Sequence, residues 1–531
     1  MKIHIKKSLM LLLVISLVLS LGLSGCGGNG NDGGTEEPDQ PSIAYYASNS
    51  EPILDWDPAV MFSNGIIVLN NIYETLLRYD AVNDEIIPVL AESYSKSDDS
   101  MVWTFKIREG VKFHDGTDLN AEAVKYSIDR TIRINKGASY IWMAVKEINV
   151  KDDYTVEFVL NYPAPMDLIA STGYAAFIYS PTSVTSDDSD WFSEGRECGT
   201  GPYMLQSQVP GDEVILTKYE EYWKGWEGNH FDKVVIKKVT ETSSRRQMIE
   251  KGEADVTINL PYEDVEAIKD NENVAIDLEN SFINVASYFN TQKAPLDNKT
   301  VRQALSYAFP YDDVVEYVMG GYAKQGRGPI PEGLWGHGAD LNQYTHDLDK
   351  AKELLAEAGY ADGGFSFLYT YMSGDEEEKK TAELYKSELA KIGVELEIRG
   401  MPWDSQWEMA KGAPEGRQDM LVMYWWPDYP SPVSWLYNLY HSEEEPLFNL
   451  GYYSNAQVDT LIQEADQKSA DNIEEAKDLF IQAQEIIIEE APAIFQYDKV
   501  NVWVRNASFE GHVGNPAYPN VVFFYDTYRA E

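Results

Sequence analysis

A single aspartate stands among aromatic and proline residues in the segment Trp425-Trp426-Pro427-Asp428-Tyr429-Pro430-Ser431-Pro432. A carboxylate in such surroundings can neutralise an ammonium group that is drawn out of water, because an unpaired buried charge is costly. The neighbouring Trp425, Trp426 and Tyr429 offer aromatic area without demanding hydrogen bonds. A simpler interpretation is that Asp428 shapes a turn between two prolines, a common role for aspartate. The local sequence leaves both interpretations open.

No motif of catalysis or metal binding accompanies that segment. The seven histidines show neither HExxH nor 2-His-1-carboxylate spacing, and the two cysteines form no CxxC pair. The chain also has no Walker A motif and no nucleophile elbow. Its many acidic residues would permit a glycosidase pair, but no spacing singles one out. The sequence patterns therefore predict no enzymatic activity, cofactor or metal, and a secreted hydrolase is the alternative.

The first forty residues predict export and attachment to a membrane. Three lysines precede an apolar run over 9–23, which is shorter than the ~20 residues that cross a bilayer. The run ends in Leu23-Ser24-Gly25-Cys26, which resembles a bacterial lipobox and implies cleavage before a lipidated Cys26. We expect residues 1–25 to be a signal peptide and residues 26–41 to be a flexible tether. An uncleaved anchor is the alternative, and both place the rest of the chain outside the cytoplasm.

The charge of the chain limits its partners. The formal net charge is −44, and removal of residues 1–25 takes away three lysines and no carboxylate, which gives −47. Such a charge repels nucleic acid and anionic lipid headgroups, so we expect neither as a partner, and membrane attachment only through Cys26. Cys198 is the only other cysteine, so no disulfide framework is expected. The length of 531 residues predicts two or three domains, and we expect a monomer.

Strand and helix patterns alternate along the chain, which predicts an α/β or α+β protein of several layers. Asn120 is expected to cap one helix, and Asp347 is expected to cap another that Gly359 ends. The other clear patterns predict strands over 103–108, 154–160 and 394–398 and helices over 379–392 and 473–490.

A series of motifs has the order and spacing of one known family. They include Leu54-Asp55-Trp56-Asp57-Pro58-Ala59, Ile72-Tyr73-Glu74-Thr75-Leu76-Leu77, Arg108-Glu109-Gly110-Val111-Lys112-Phe113-His114-Asp115-Gly116, Gly199-Thr200-Gly201-Pro202-Tyr203, Glu221-Tyr222-Trp223 and Val301-Arg302-Gln303-Ala304-Leu305-Ser306-Tyr307-Ala308. On these residues the chain resembles the family 5 extracellular solute-binding proteins of ABC transporters, the oligopeptide- and dipeptide-binding group. The resemblance covers essentially the whole chain after the tether. It is specific for the family but not for the ligand, because members bind peptides, nickel complexes, oligosaccharides and opines.

The resemblance implies a two-lobed, periplasmic-binding-protein-like α/β fold of type II, cluster C. Crossover strands, placed over 282–290 and 494–502, would join the lobes and act as a hinge. An extra domain, placed over 79–191, would be inserted in the first lobe. The implied lobes are lobe I, over 42–78, 192–284 and 500–531, and lobe II, over 285–499.

The resemblance also implies roles for the aromatic segment. In peptide-binding members an aspartate at the position of Asp428 pairs with the α-ammonium of the ligand. Tryptophans at or near the positions of Trp425 and Trp407 face that ligand. Trp426 stands where a small or polar residue is usual, so it would reshape the pocket. Trp426 and Tyr429 are both expected to contact the ligand.

Two departures weaken the assignment of a peptide ligand. Ser431 replaces a second carboxylate, and Val422 stands where peptide-binding members have a ligand-facing arginine. Since arginine is the natural bidentate partner of a carboxylate, a ligand carboxylate must be met elsewhere or stay solvated. The remaining candidates are Arg245, Arg246, Arg327 and Arg417.

The function that the resemblance implies is capture of a solute, expected to be a short peptide, and its delivery to the permease and ATPase subunits of an ABC importer. The same fold with an oligosaccharide as ligand is one alternative, in which Trp425 and Trp426 would form a stacking platform. A role in sensing a peptide signal is another.

Overall fold

One large mixed sheet forms the centre of the computed structural model, which describes residues 41–61, 63–184 and 186–530. Residues from Ser42 onward form one compact unit. The predicted signal peptide and the predicted lipid attachment at Cys26 lie outside the described residues.

The described residues form strands and helices throughout, which confirms the α/β class. The strands are β1 (Ile43–Ser48), β2 (Leu77–Asp80), β3 (Glu85–Pro88), β4 (Ala91–Lys96), β5 (Val102–Ile107), β6 (Val145–Asp152), β7 (Thr155–Leu160), β8 (Tyr203–Val209), β9 (Glu213–Lys218), β10 (Lys233–Lys238), β11 (Val256–Ile258), β12 (Val274–Phe289), β13 (Ala323–Gln325), β14 (Ser366–Met372), β15 (Glu395–Met401), β16 (Met420–Trp425), β17 (Ala493–Asn506), β18 (Phe509–Glu510) and β19 (Tyr528–Arg529). The α-helices are α1 (Ile66–Ile72), α2 (Ala121–Ile134), α3 (Met166–Ile169), α4 (Asp190–Ser193), α5 (Thr242–Glu250), α6 (Tyr262–Ile268), α7 (Lys299–Tyr307), α8 (Tyr311–Asp313), α9 (Leu348–Glu357), α10 (Glu376–Ala390), α11 (Trp403–Lys411), α12 (Val433–Tyr440), α13 (Ala456–Ser469) and α14 (Ile473–Glu490). Short 3-10 helices lie at Ser63–Gly65, Ser139–Trp142, Pro414–Gly416 and Phe524–Asp526, and a π-helix lies at Val314–Val318.

The central sheet has the strand order β15-β14-β16-β12-β17-β11-β1-β10-β9-β8, and β13 also pairs with β17. β12 and β17 are long strands of 16 and 14 residues, and they pair antiparallel with each other. One end of this pair is flanked by β16 and β13, and the other end by β11. The register between them shifts between Asn280 and Asn284, where the flanking strands change. The predicted crossover segments 282–290 and 494–502 thus fall almost entirely within the two strands that join the two ends of the sheet.

A separate antiparallel sheet lies outside the central one. It has the strand order β4-β5-β7-β6, and helix α2 packs against β6 and β7. These elements lie within 79–191, the range predicted for an inserted domain. The bounds of that domain and of the two lobes stay predictions.

Several local predictions are confirmed at the level of single caps. The Asn120 side chain accepts the Ala123 N–H at 3.0 Å to start α2, and Asp347 accepts the Lys350 N–H at 2.9 Å to start α9. Gly359 follows α9 with a φ of +88°, a conformation that glycine adopts without strain. Helix α14 has the predicted bounds, whereas α10 begins three residues before the predicted 379, because the Asp375 side chain caps it by accepting the Glu378 N–H at 2.8 Å.

Candidate functional site

The loop that contains Asp428, residues 426–432, joins the carboxyl end of β16 to the start of α12. β16 lies between β12 and β14 inside the central sheet, so the loop leaves from a buried position. Pro432 immediately precedes α12, at a helix start, where the missing proline N–H costs no helical bond. The Ser434 hydroxyl in the first turn of α12 accepts the Asp428 backbone N–H at 2.9 Å. These contacts set the direction of the Asp428 side chain.

The Asp428 carboxylate is buried and receives hydrogen bonds from neutral groups only. The residue is 5 % exposed, and the Tyr140 hydroxyl donates to its Oδ1 at 2.8 Å. Asn438 Nδ2 and the Ser434 hydroxyl donate to Oδ2 at 3.2 and 3.3 Å. Burial raises the pKa of the Asp428 carboxyl to about 6, although the three hydrogen bonds act in the opposite direction. No described lysine, arginine or histidine forms an ion pair with it, so its negative charge is not neutralised within the described structure.

Asp428 lines a cavity of about 310 Å³. Helices α12 and α13 form two walls of the cavity. Each helix contributes residues spaced three and four positions apart, because such residues lie on one face of a helix. These faces contribute Ser434, Tyr437 and Asn438 from α12 and Gln463, Asp466 and Gln467 from α13. The third wall comes from residues 140–144 and 162–169. No lysine, arginine or histidine is present in the lining described here.

Asp466 is a second carboxylate in the same cavity. Its Oδ1 atom is fully shielded from solvent and has no hydrogen-bond partner. Burial raises the pKa of the Asp466 carboxyl to about 7. The cavity therefore combines two acidic groups, both disfavoured in their ionised form, with no compensating cation in its described lining.

The predicted tryptophans lie beside the cavity rather than in its lining. Trp407 and Trp425 pack on the ring of Phe448, with ring centroids 5.7 and 5.0 Å apart. Tyr140 also contacts Phe448, at 6.1 Å, while its hydroxyl reaches Asp428. Tyr140 thus links an aromatic cluster to the carboxylate cavity.

The other two predicted residues have different positions. Tyr429 lines the cavity and is buried. The Trp426 indole N–H donates to the Tyr174 hydroxyl at 3.2 Å, and the Thr172 hydroxyl donates to the Asp428 backbone carbonyl. Of the five predicted site residues, Asp428 and Tyr429 meet in the cavity, whereas Trp407, Trp425 and Trp426 do not line it.

The arginines considered as partners for a ligand carboxylate have other roles. Arg245 donates to three backbone carbonyls, and Arg246 pairs with Asp264 at 2.6 Å. Arg327 donates to a backbone carbonyl at 2.5 Å, and Arg417 donates to one at 2.8 Å. None of the four lines the cavity, which leaves it without an internal partner for a carboxylate.

Sequence reasoning missed Tyr140 and Asp466. Tyr140 lies 288 residues before Asp428, and no local pattern connects the two. Asp466 does carry a signal, because Val458 and Ile462 are buried on α13 and a residue four positions further continues the same stripe. A carboxylate at a position where the helical period predicts an apolar side chain indicates that this part of the helix does not face an ordinary apolar core.

Metal and membrane sites find no support in the described residues. No group of three or more His, Cys, Asp or Glu side chains there could hold a metal ion. Within the same residues, no helix combines the length and apolar character needed to span a membrane.

The described structure thus places a buried carboxylate without a counter-ion in a cavity that distant segments of the chain line together. The chain belongs to the bacterial extracellular solute-binding proteins, family 5, whose model matches residues 85–446. It is 30% identical over 476 residues to the probable D,D-dipeptide-binding periplasmic protein DdpA of Escherichia coli (strain K12), covering 88% of this chain and 90% of DdpA. It is 28% identical over 539 residues to heme-binding protein A of Haemophilus influenzae, covering 96% of this chain and 97% of heme-binding protein A.

A solved structure supports the same fold. The periplasmic binding protein DppA from Helicobacter pylori, in complex with the peptide STSA, superposes with a TM-score of 0.79 at 26% identity, covering 92% of this chain and 98% of DppA. The chain is accordingly a two-lobed binding protein with mixed α/β sheets, as predicted. Relatives named for a dipeptide and for heme show that membership of the family does not by itself define the solute.

Proposed function

We propose that this chain is the solute-capturing subunit of an ABC importer and that it binds short peptides through a free amino end. Asp428 would pair with the peptide ammonium, and the chain would perform no chemistry on its ligand. The lipid on Cys26 would hold the protein at the outer side of the membrane, where closure of the two lobes presents the ligand to the permease.

The observation that carries this proposal is the uncompensated Asp428 carboxylate in the cavity. Tyr140, Ser434 and Asn438 orient it, yet none of them supplies a positive charge. A ligand ammonium would remove the cost of the buried charge, and the hydrogen bonds already in place would hold the carboxylate in position for it. The peptide carboxylate would lie outside the cavity, since no cation is present in the described lining.

The proposal is tested by calorimetry on a soluble form that starts after Cys26. Di- to pentapeptides are titrated with a free and with an acetylated amino end, beside a panel of oligosaccharides. We expect binding of the free forms only, and ligand at about a hundred times its Kd should add roughly 2.7 kcal/mol to the free energy of unfolding.

Two variants locate the binding. Asp428→Asn should weaken binding of free peptides at least about a hundredfold, because the ammonium would be buried without a counter-charge. Glu464→Gln removes one charge from the exposed side of α13 and should leave the Kd unchanged. Equal binding of acetylated peptides would reject the role of Asp428. Binding of oligosaccharides alone would reject a peptide as the ligand and would make Trp425 and Trp426 the residues to mutate.

A further inference from the structure

Asp466 differs from two other carboxylates of the described structure that also have one oxygen shielded from solvent. Asp498 and Glu279 each have one oxygen without a partner, but the other oxygen accepts a backbone N–H, at 2.8 and 2.9 Å. In Asp466 neither carboxylate oxygen receives a hydrogen bond from a described residue, and Oδ1 is shielded from solvent. The residue as a whole is half-buried, but no described group compensates the shielded Oδ1, and shielding a polar atom without a partner is unfavourable.

Asp466 shares its cavity with Asp428. Both line the same space of about 310 Å³, on different elements. Burial raises the pKa of Tyr429 in that lining, and the charges of Asp466 and Asp428 raise it further. The two carboxylates are therefore within electrostatic reach of one tyrosine. Tyr162 and Tyr437 also line the cavity, and the pKa of each is raised by burial first and by the charge of Asp466 in addition.

The wall of this cavity also has an apolar component. Ile141, Met143, Ile169 and Val433 contribute aliphatic side chains to it. A short hydrocarbon chain fits such a wall, because its burial is favourable and demands no hydrogen bond. The cavity thus offers acidic groups and an apolar surface, with no described cation in its lining.

We infer that the cavity binds a solute with two cationic groups joined by a short aliphatic chain, one group at Asp428 and the other at Asp466. This inference rests on the proposed function, and it narrows the ligand to peptides whose first residue is basic, such as an N-terminal lysine. The α-ammonium would meet Asp428, the methylene groups would lie along the aliphatic wall, and the side-chain ammonium would neutralise Asp466.

The matched pair of ligands is lysyl-alanine and norleucyl-alanine, which share a four-carbon stem and differ in the terminal charge. We expect the wild-type protein to bind lysyl-alanine at least tenfold more tightly at pH 8. In Asp466→Asn the ratio of the two Kd values should fall close to one, while the Kd of norleucyl-alanine stays within about twofold. Glu464→Gln on the same helix should keep the wild-type ratio. Urea unfolding curves of both variants serve as the control that the variants are folded.

A second pair of probes, 1,5-diaminopentane and pentylamine, separates this inference from the proposed function. If norleucyl-alanine and lysyl-alanine bind equally well to the wild type, the peptide function stands and the role of Asp466 is rejected. If no peptide binds but the diamine does, and more tightly than pentylamine, the two-cation site stands and the peptide function is rejected. Failure of all four compounds would overturn both.

Discussion

Asp57 and Asp428 are both buried aspartates, but only one of them is neutralised inside the protein. Asp57 is fully buried and receives two hydrogen bonds from the Arg130 guanidinium, at 2.8 and 2.7 Å, and one from the Ser189 hydroxyl, at 2.6 Å. Asp428 receives hydrogen bonds from two hydroxyls and an amide, all of them uncharged. The first carboxylate has its counter-ion within the fold, whereas the second has no cation among its described contacts.

The two carboxylates thus differ in whether a cation accompanies them, and the binding role proposed for Asp428 rests on that difference. The Asp57–Arg130 pair joins the segment after β1 to helix α2, and neither residue lines the cavity that contains Asp428. Asp428 and Asp466 face a cavity, and their burial raises their pKa values because no counter-ion offsets it. Burial is common to Asp57 and Asp428, so only the presence or absence of a neighbouring cation distinguishes the two regions.

The largest effect is expected for Asp57→Asn. It should lower the free energy of unfolding by about 3–5 kcal/mol, because Arg130 would keep a buried charge without its counter-ion. Urea denaturation measures this change. Asp187→Asn is the matched control, since Asp187 pairs with Arg133 at the surface and its loss should cost no more than about 1 kcal/mol. Equal effects of the two variants would remove the distinction between a buried and an exposed pair.

Asp428→Asn is expected to stabilise the ligand-free protein at neutral pH. Burial raises the pKa of Asp428 to about 6, so between pH 4 and 6 the folded state holds a proton that the unfolded chain releases. The stability that this proton contributes is present below about pH 4 and is lost as the pH rises through about 6. The rise in the pKa of Asp428 from its ordinary value of 3.8 to about 6 corresponds to about 3 kcal/mol of stability.

The variant should therefore gain about 3 kcal/mol over the wild type at pH 7.5 and nothing at pH 4. Urea denaturation at both pH values measures the difference. A variant that is less stable than the wild type at pH 7.5 would show that the hydrogen bonds of Asp428 outweigh its desolvation, and the contrast with Asp57 would then be one of degree.

A smaller effect is expected for Tyr140→Phe, which removes one neutral donor from Asp428. Loss of a hydrogen bond to a charged group should lower the free energy of unfolding by about 1.5–3 kcal/mol at pH 7.5. The pKa of Asp428 should also rise, because that hydrogen bond favours the ionised form. The peptide Kd would then begin to weaken at a higher pH than in the wild type. An unchanged pH profile would mean that Tyr140 supports Asp428 only by packing.

The sequence alone was sufficient to predict the family and most local elements. It also singled out Asp428, one of the residues that line the cavity, as a candidate partner for a ligand ammonium. The caps at Asn120, Asp347 and Gly359 are local events, in which a side chain or a glycine acts on a backbone group a few residues away. Asp428 could be singled out because a loop rich in proline and aromatic residues surrounds it. These signals need no knowledge of what packs against the segment.

The composition of the cavity was decided by the tertiary structure. Tyr140 reaches Asp428 across 288 residues, and Asp466 comes from a helix that packs beside α12. Two of the predicted tryptophans, Trp407 and Trp425, pack instead on Phe448, which no local pattern marked. The physical reason is that charge compensation depends on every group within a few ångströms, and those groups come from segments that only folding brings together. A sequence shows where a carboxylate lies along the chain, but only the packed structure shows whether a cation accompanies it.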